Sequence, residues 1–239
     1  MGLGDSGDGT DKTYPQEVTA NINSGSKVVF TDVESTVSSS IGLSTQGALY
    51  TWGSNYNGQL GSGNTTDLHS PTKVTVSGVK FTDIAGGGGQ FLGLTDTGDI
   101  YSWGHNSYGQ LGLGNTDSPI TSPTKVPVSG VKFINVQTGS EHSLALTDSG
   151  DIYSWGSNYY GQLGLGTSGS GTNKDTPQKV TVNGVKFTDI AVGVSHSLAL
   201  TDTGVLYSWG VNEYGQLGLG TSGTDTNKTT PQRIWAIAL

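Results

Sequence analysis

The stretch Tyr207-Ser-Trp-Gly-Val-Asn-Glu-Tyr-Gly-Gln-Leu-Gly-Leu-Gly220 decides the fold, because nearly the same phrase is written three more times, around Trp52, Trp103 and Trp155. The four tryptophans lie 51, 52 and 54 residues apart, a spacing typical of repeat architectures. A phenylalanine stands 22 residues before each of them (Phe30, Phe81, Phe133, Phe187) and a glutamine seven residues after (Gln59, Gln110, Gln162, Gln216). Registers kept without a single insertion mark segments where one extra residue would turn packed side chains to the wrong face. Length varies between the Gly-x-Gly and the next proline: from each Trp to Pro71, Pro123, Pro177 and Pro231 the distances are 19, 20, 22 and 22. One loop per repeat is therefore free to grow.

Four short strands are expected in each repeat. In the last one they are 185–192, 195–201, 205–209 and a fourth that opens at Pro231 and runs to Trp235. Leu198 and Leu200 alternate with small or polar neighbours, as do Val205, Tyr207 and Trp209, the period of two of a half-buried strand. Asp96-Thr-Gly98, Asp148-Ser-Gly150 and Asp202-Thr-Gly204 read as hairpin turns. A proline opening the fourth strand costs no ladder bond at an edge, so that strand is expected outermost.

No stretch keeps a helical period. The chain reads as all-β: a β-propeller of four-stranded antiparallel blades, about four per chain, at 28–78, 79–130, 131–184 and 185–239. Residues 1–27 form a partial repeat, since Gly2-Leu-Gly4 through Val18 matches Gly218-Leu-Gly220 through Ile234. They are expected to supply a spare outer strand for closure or exchange.

Composition narrows the function classes. The 39 glycines recur in register with Trp, Tyr and Leu, so they are turn residues of a folded repeat. A net charge of -8 with eleven scattered basic residues argues against nucleic acid as the main partner. No apolar run of the length that spans a bilayer is present, and the polar start is unlike a leader peptide. The expectation is a soluble protein with no membrane partner, cytoplasmic or exported from a prokaryotic cell. The absence of cysteine removes disulfides, thiol nucleophiles and thiolate metal sites together.

Trp-Gly-x-Asn-x-x-Gly-Gln-Leu-Gly-x-Gly, preceded by His-Ser-Leu-Ala-Leu-Thr and followed by Pro-x-x-Val, resembles the repeat of the regulator of chromosome condensation family. The resemblance runs from end to end and implies propeller blades, seven of them in familiar members. The propeller-type β-lactamase inhibitor proteins are similar in the His-Ser-Leu-Ala-Leu and Trp-Gly parts but lack the long Gly-rich loop. The first repeat departs from the pattern, with Thr36 in place of Gly87, Gly139 and Gly193, and Ser39 in place of His142 and His196. Gln90 holds that same position in the second repeat.

Chemistry-bearing residues are few. His142 and His196 recur at one position, where a polar group most simply satisfies a backbone carbonyl or turn; with Gln90 and Ser39 completing the series they make a poor ligand set. Gly-Gln-Leu-Gly-Leu-Gly leads into a loop rather than a helix, so it is a turn and not a phosphate cradle. The acidic loop Asp5-Ser-Gly-Asp-Gly-Thr-Asp11 offers oxygen ligands but lacks calcium-loop spacing. The sequon-like Asn64 and Asn227 carry no weight, and Asn55, Asn106, Asn158 and Asn212 are expected to make turn bonds beyond the Trp strand. No catalytic residue, cofactor or metal is expected.

Binding specificity is expected where blades differ, in loops 62–70, 114–122, 167–176 and 221–230, emerging on a common face. Tyr108, Tyr160, Tyr214, His69, Asp117, Lys174 and Asp225 are the candidate contacts, tyrosine giving large contact area at low entropy cost. The expected role is a non-enzymatic protein-binding scaffold. Two alternatives stay open: a self-assembling partial propeller, most simply a homodimer completing a ring of about eight blades, and a hydrolase or lyase in the channel, which requires convergent carboxylates and histidines.

Overall fold

The computed structural model describes residues 27–235, together with Lys12, Tyr14 and residues 16–18. It contains four antiparallel sheets, each built from four consecutive strands in sequence order. The first blade is β1 (Phe30–Ser35), β2 (Ser39–Ser44), β3 (Leu49–Gly53) and β4 (Leu68–Val74). The second is β5 (Phe81–Gly86), β6 (Gln90–Thr95), β7 (Ile100–Gly104) and β8 (Ile120–Lys125). The third is β9 (Phe133–Thr138), β10 (His142–Thr147), β11 (Ile152–Gly156) and β12 (Lys174–Val180). The fourth is β13 (Phe187–Val192), β14 (His196–Thr201), β15 (Leu206–Gly210) and β16 (Lys228–Arg233). Among the described residues one 3-10 turn, Thr224–Thr226, interrupts the strands, and no helix is long and apolar enough to cross a membrane.

The first strands β1, β5, β9 and β13 pack on one another from blade to blade and so lie innermost, which leaves the fourth strands on the outside. Each blade is pinned internally by one aromatic pair. The strand-one phenylalanine meets the strand-three tyrosine edge to face, Phe30 with Tyr50, Phe81 with Tyr101, Phe133 with Tyr153 and Phe187 with Tyr207, at centroid distances of 5.7, 5.8, 5.6 and 5.6 Å. That geometry is the one favoured by the ring quadrupoles.

Blades join through three copies of one junction. Strands two, three and four of one blade present an outgoing face of three aliphatic positions and a valine, such as Leu92, Leu94, Ile100 and Val126; the next blade presents an incoming face of Phe133, Val136, Ala145 and Trp155. The same positions recur between blades 3 and 4, and between blades 1 and 2 they recur except that Gly93 stands for the alanine and Phe91 joins the cluster. Full burial of each large apolar side chain contributes about 1.5–3 kcal/mol, so the junctions dominate the stability of the array. The pattern also explains the burial of β6 and β10, buried along their whole length because they are covered on both faces.

The fourth strand corrects the sequence reading. It begins at Lys228 rather than Pro231, and the proline sits in its middle. Ser208 pairs with Gln232 while Gly210 pairs with Lys228, so an irregularity at 229–231 absorbs the proline where no ladder N–H is required. Blades 1 to 3 carry Pro71, Pro123 and Pro177 in equivalent irregularities. The first strand likewise opens at Phe187, two residues later than expected.

The array has two unlike ends. In β14 the residues facing blade 3 (Ser197, Ala199, Thr201) are buried, whereas Leu198 and Leu200 on the other face are partly or largely exposed. In β1 the exposed positions include Val33, whose counterparts Ile84, Val136 and Ile190 are all buried. No packing comparable to that between β5 and β9 joins β13 to β1 among the described residues. Most of the partial repeat at 1–27, with the acidic loop 5–11, lies outside the described residues.

Candidate protein-binding face

The long connection between the third and fourth strands leaves every blade at the same end of equivalent strands, so the four variable loops share one face of the array. Each loop is organised by one fully buried asparagine: Asn55, Asn106, Asn158 or Asn212. Its Oδ1 accepts from the main-chain N–H of Leu60, Leu111, Leu163 or Leu217 at 2.9–3.1 Å. Its Nδ2 donates across the loop to the carbonyls of Asn64, Asn115, Thr167 or Thr221. Its own N–H goes to Asp67, Ser118, Asn173 or Asn227 at the far end of the loop. A buried amide with all its groups satisfied fixes a long loop that has little apolar content of its own.

The glutamine is the second fixture. Its Oε1 accepts from the N–H of Asn57, Tyr108, Tyr160 or Tyr214 at 2.8–3.0 Å, which sets the tight turn Asn-x-x-Gly. Its main-chain carbonyl receives the indole N–H of the next blade's tryptophan, Trp103 to Gln59, Trp155 to Gln110 and Trp209 to Gln162, each at 2.8 Å. The repeated phrase thus couples the exposed turn directly to the blade junction.

Of the residues expected to make contacts, Tyr108, Tyr160 and Tyr214 stand on these turns with 39%, 40% and 84% of their surface exposed. His69 and Asp117 are exposed, Asp225 is exposed in the 3-10 turn, and Lys174 is half-buried at the start of β12. The turns also carry Tyr56, 82% exposed, and Tyr159, 60% exposed, one position earlier in the Asn-x-x-Gly turn. The sequence-based candidates did not include these two; the signal that finds them is an aromatic at either central position of that turn. Tyr159 and Tyr160 meet edge to face at 5.0 Å, and His105 meets Tyr108 at 6.2 Å. The same loops carry Asp67, Asp117, Glu213 and Asp225, and the adjoining β9–β10 turn carries Glu141, with Lys174 and Lys228 opening β12 and β16 at the same end.

His142 is wholly buried, and where the sequence pointed to a backbone carbonyl or a turn, its partner is a side chain of the next blade. Nε2 lies 3.0 Å from Ser197 Oγ in the next blade, and Ser197 donates its own hydroxyl to Gln162 O, so Nε2 carries the proton and Nδ1 is a bare acceptor without a partner. Burial, with a smaller push from His196, lowers its pKa to about 3. Burial also lowers that of His196. In blade 2 the same position is Gln90, whose Nε2 reaches Thr138 Oγ1, Gly139 O and Ser140 O. In blades 2 and 3 the position makes a contact across the blade junction.

On the innermost strands Asp32, Asp83 and Asp189 occupy one position, and Asn135 stands there in blade 3. Each aspartate Oδ1 accepts from the following N–H, at 2.8, 3.0 and 2.9 Å. Burial raises the pKa of Asp83 and of neighbouring Glu34. No histidine joins them, and among the described residues no group of three His, Cys, Asp or Glu side chains is placed to hold a metal ion.

Comparison with known proteins agrees with this geometry. The family model described as RCC1-like domain matches residues 1–238. The ultraviolet-B receptor UVR8 of Arabidopsis thaliana is 38% identical over 174 residues, 72% of this chain and 39% of its own length. The E3 ubiquitin-protein ligase HERC2 of Homo sapiens is 37% identical over 207 residues, 85% of this chain and 4% of its own. The crystal structure of human WBSCR16 superposes with a TM-score of 0.77 at 26% identity, covering 89% of this chain and 54% of that one. The chain thus spans about two fifths of UVR8 and about half of WBSCR16. Tandem four-stranded blades, the Trp-to-Gln junction and this match over nearly the whole length place the chain in the RCC1-like domain family.

Proposed function

We propose that the chain is a non-enzymatic protein-binding module whose loop face takes a basic protein surface. The observation that carries this reading is that every blade presents an exposed tyrosine on a turn held by a buried asparagine and a glutamine. Rigid, amphipathic aromatic side chains concentrate binding energy. The carboxylates on the same loops add attraction for arginine and lysine, and tyrosine faces accept those cations directly. A binding role also fits the family, which includes a receptor and a region of a ubiquitin ligase. The innermost aspartates each accept from the following backbone N–H and give way to Asn135 in blade 3; although Asp32, Glu34 and Asp83 lie near one another, the tyrosine turns that recur in every blade favour the binding reading over a hydrolase or lyase.

Fluorescence anisotropy against a panel of synthetic peptides tests this. Arginine- and lysine-rich peptides with an apolar residue bind, more weakly as salt rises, and acidic peptides of equal length do not. Equal binding of both classes, or binding of neither, overturns the proposal.

A further inference from the structure

On the loop face, the crease at each internal junction is built from three recurring seats. The first is the residue before the turn glycine, Asn57, Tyr108 or Tyr160, held through its N–H by the glutamine. The second belongs to the next blade, on the turn between its first two strands: Gly89, Glu141 or Ser195. The third belongs to the head of the next blade's fourth strand: Thr121, Asp175 or Thr229. Close contacts hold the seats together. A carbon added to the turn glycine, Gly58, Gly109 or Gly161, would meet the Cα of Thr121, Asp175 or Thr229 at 3.0, 2.6 or 2.8 Å. The second seat is fixed by its carbonyl, since Gly89 O accepts from His105 N–H, Glu141 O from Ser157 N–H and Ser195 O from Val211 N–H, at 2.9, 2.7 and 3.0 Å. A carbon added to Gly89 would stand 2.9 Å from Asn57 Nδ2, so a side chain in this seat leaves the backbone beside the first.

The three junctions fill these seats differently. Between blades 1 and 2 they hold Asn57, Gly89 and Thr121, and between blades 3 and 4 Tyr160, Ser195 and Thr229. Between blades 2 and 3 they hold Tyr108, Glu141 and Asp175, so of the three junctions this one sets an aromatic ring beside two carboxylates. Both acidic residues are half-buried, and neither carboxylate makes a hydrogen bond or ion pair among the described residues. Lys174, which precedes Asp175, forms no ion pair with it. The ring is held in place. Gln110 Oε1 accepts from the Tyr108 N–H at 3.0 Å, while its Nε2 donates to His105 Nδ1 at 2.7 Å, and the His105 ring meets Tyr108 at 6.2 Å and 75°. Partly desolvated carboxylates with no counter-charge favour an incoming cation. A guanidinium uses all three seats, because its flat face stacks on a tyrosine while its fixed fork of donors reaches carboxylates; a lysine ammonium is a point charge that cannot do both.

We infer that the crease between blades 2 and 3 is an arginine subsite of the loop face, where one partner side chain lays its guanidinium on Tyr108 and donates to Glu141 and Asp175. The inference rests on the proposed binding of a basic surface and adds to it a position and a preference for arginine over lysine.

Anisotropy of a fluorescent arginine-rich peptide and of its all-lysine counterpart of equal length, titrated with the whole chain and two charge-matched variants, tests this. Glu141→Gln with Asp175→Asn neutralises the crease, and Asp148→Asn with Asp202→Asn neutralises two exposed carboxylates on hairpins at the opposite end of the blades. The wild type binds the arginine peptide at least about fivefold tighter than the lysine peptide. The crease variant loses at least about tenfold for the arginine peptide and binds both alike, while the hairpin variant stays within about twofold of the wild type. A wild type that binds the two peptides equally, an equal loss in both variants, or a crease variant that keeps its preference for arginine overturns the subsite and leaves the basic-surface reading standing. A wild type that binds neither peptide overturns both.

Discussion

His142 makes the folded chain sensitive to mild acid. Its pKa falls from 6.5 to about 3 on burial, so the unfolded chain takes up a proton that the folded chain refuses. The stabilising contribution of the neutral ring is complete above the unfolded value and is lost as pH falls from 6.5 toward 3. Between about pH 7.5 and about pH 5.5 this one group removes about 1.4 kcal/mol, roughly 0.5 M in a urea midpoint at the steep end of ordinary slopes. His142→Gln provides the control, because Gln90 holds the same position in blade 2 and satisfies itself on the carbonyls of Gly139 and Ser140. The carboxylates whose pKa is raised by burial, Glu34 and Asp83, are common to both proteins and cancel in the difference. Urea midpoints measured across that window are expected to converge toward acid, the wild type losing about 1.4 kcal/mol more than His142→Gln. Parallel losses in the two proteins would refute a buried, neutral histidine.

Other consequences follow from the same contacts. Asn158→Ala strips a buried hub of its loop bonds and lowers stability by about 1–3 kcal/mol, with faster amide exchange concentrated in 157–173; uniform exchange across all blades would contradict the role of the hub. Trp155→Phe removes the indole donor to Gln110 O and costs about 1–3 kcal/mol by chemical denaturation, whereas an unchanged midpoint would mean that the indole bond carries nothing. Gly112→Ala and Gly184→Ala share a backbone φ of +72°, but the added carbon meets the Trp155 indole at 2.9 Å in the first and nothing in the second. Calorimetry should show about 1 kcal/mol lost at Gly184 and a clearly larger loss at Gly112.

The sequence made the blades legible because the junction is written in residues of fixed spacing. Trp, Gln and the strand-one Phe touch across or within every blade, so no insertion between them survives, and their register shows in the chain alone. The start of the fourth strand was hidden, since a proline looks like a strand opening unless the irregularity that absorbs it is seen. The His142 partner is not legible in the sequence, which offers a backbone carbonyl or a turn, because Ser197 lies 55 residues away in the next blade and is brought near only by the packing of sheets. Tyr56 and Tyr159 were missed for a simpler reason. The turn fixes the backbone and leaves two positions free to project outward, and an aromatic at either serves the same surface. Asp32, Asp83 and Asp189 keep a fixed spacing after the strand-one Phe, but that this register lies innermost is a property of the array and not of the chain.

The central claim is that the tyrosine-bearing loop face, and not the opposite face, is where a partner binds. Two variants separate them: Tyr56, Tyr159, Tyr160 and Tyr214 changed together to Ala, and Lys80, Lys132 and Lys186 changed together to Ala on the connections that lead into the next blade. Titrating each against the same fluorescent arginine-rich peptide by anisotropy gives the answer. The account predicts that the tyrosine variant loses at least about 30-fold in affinity, the scale of one or two lost hot spots, while the lysine variant binds as the wild type does or tighter. Binding that survives the loss of the tyrosines and fails with the lysines would contradict it.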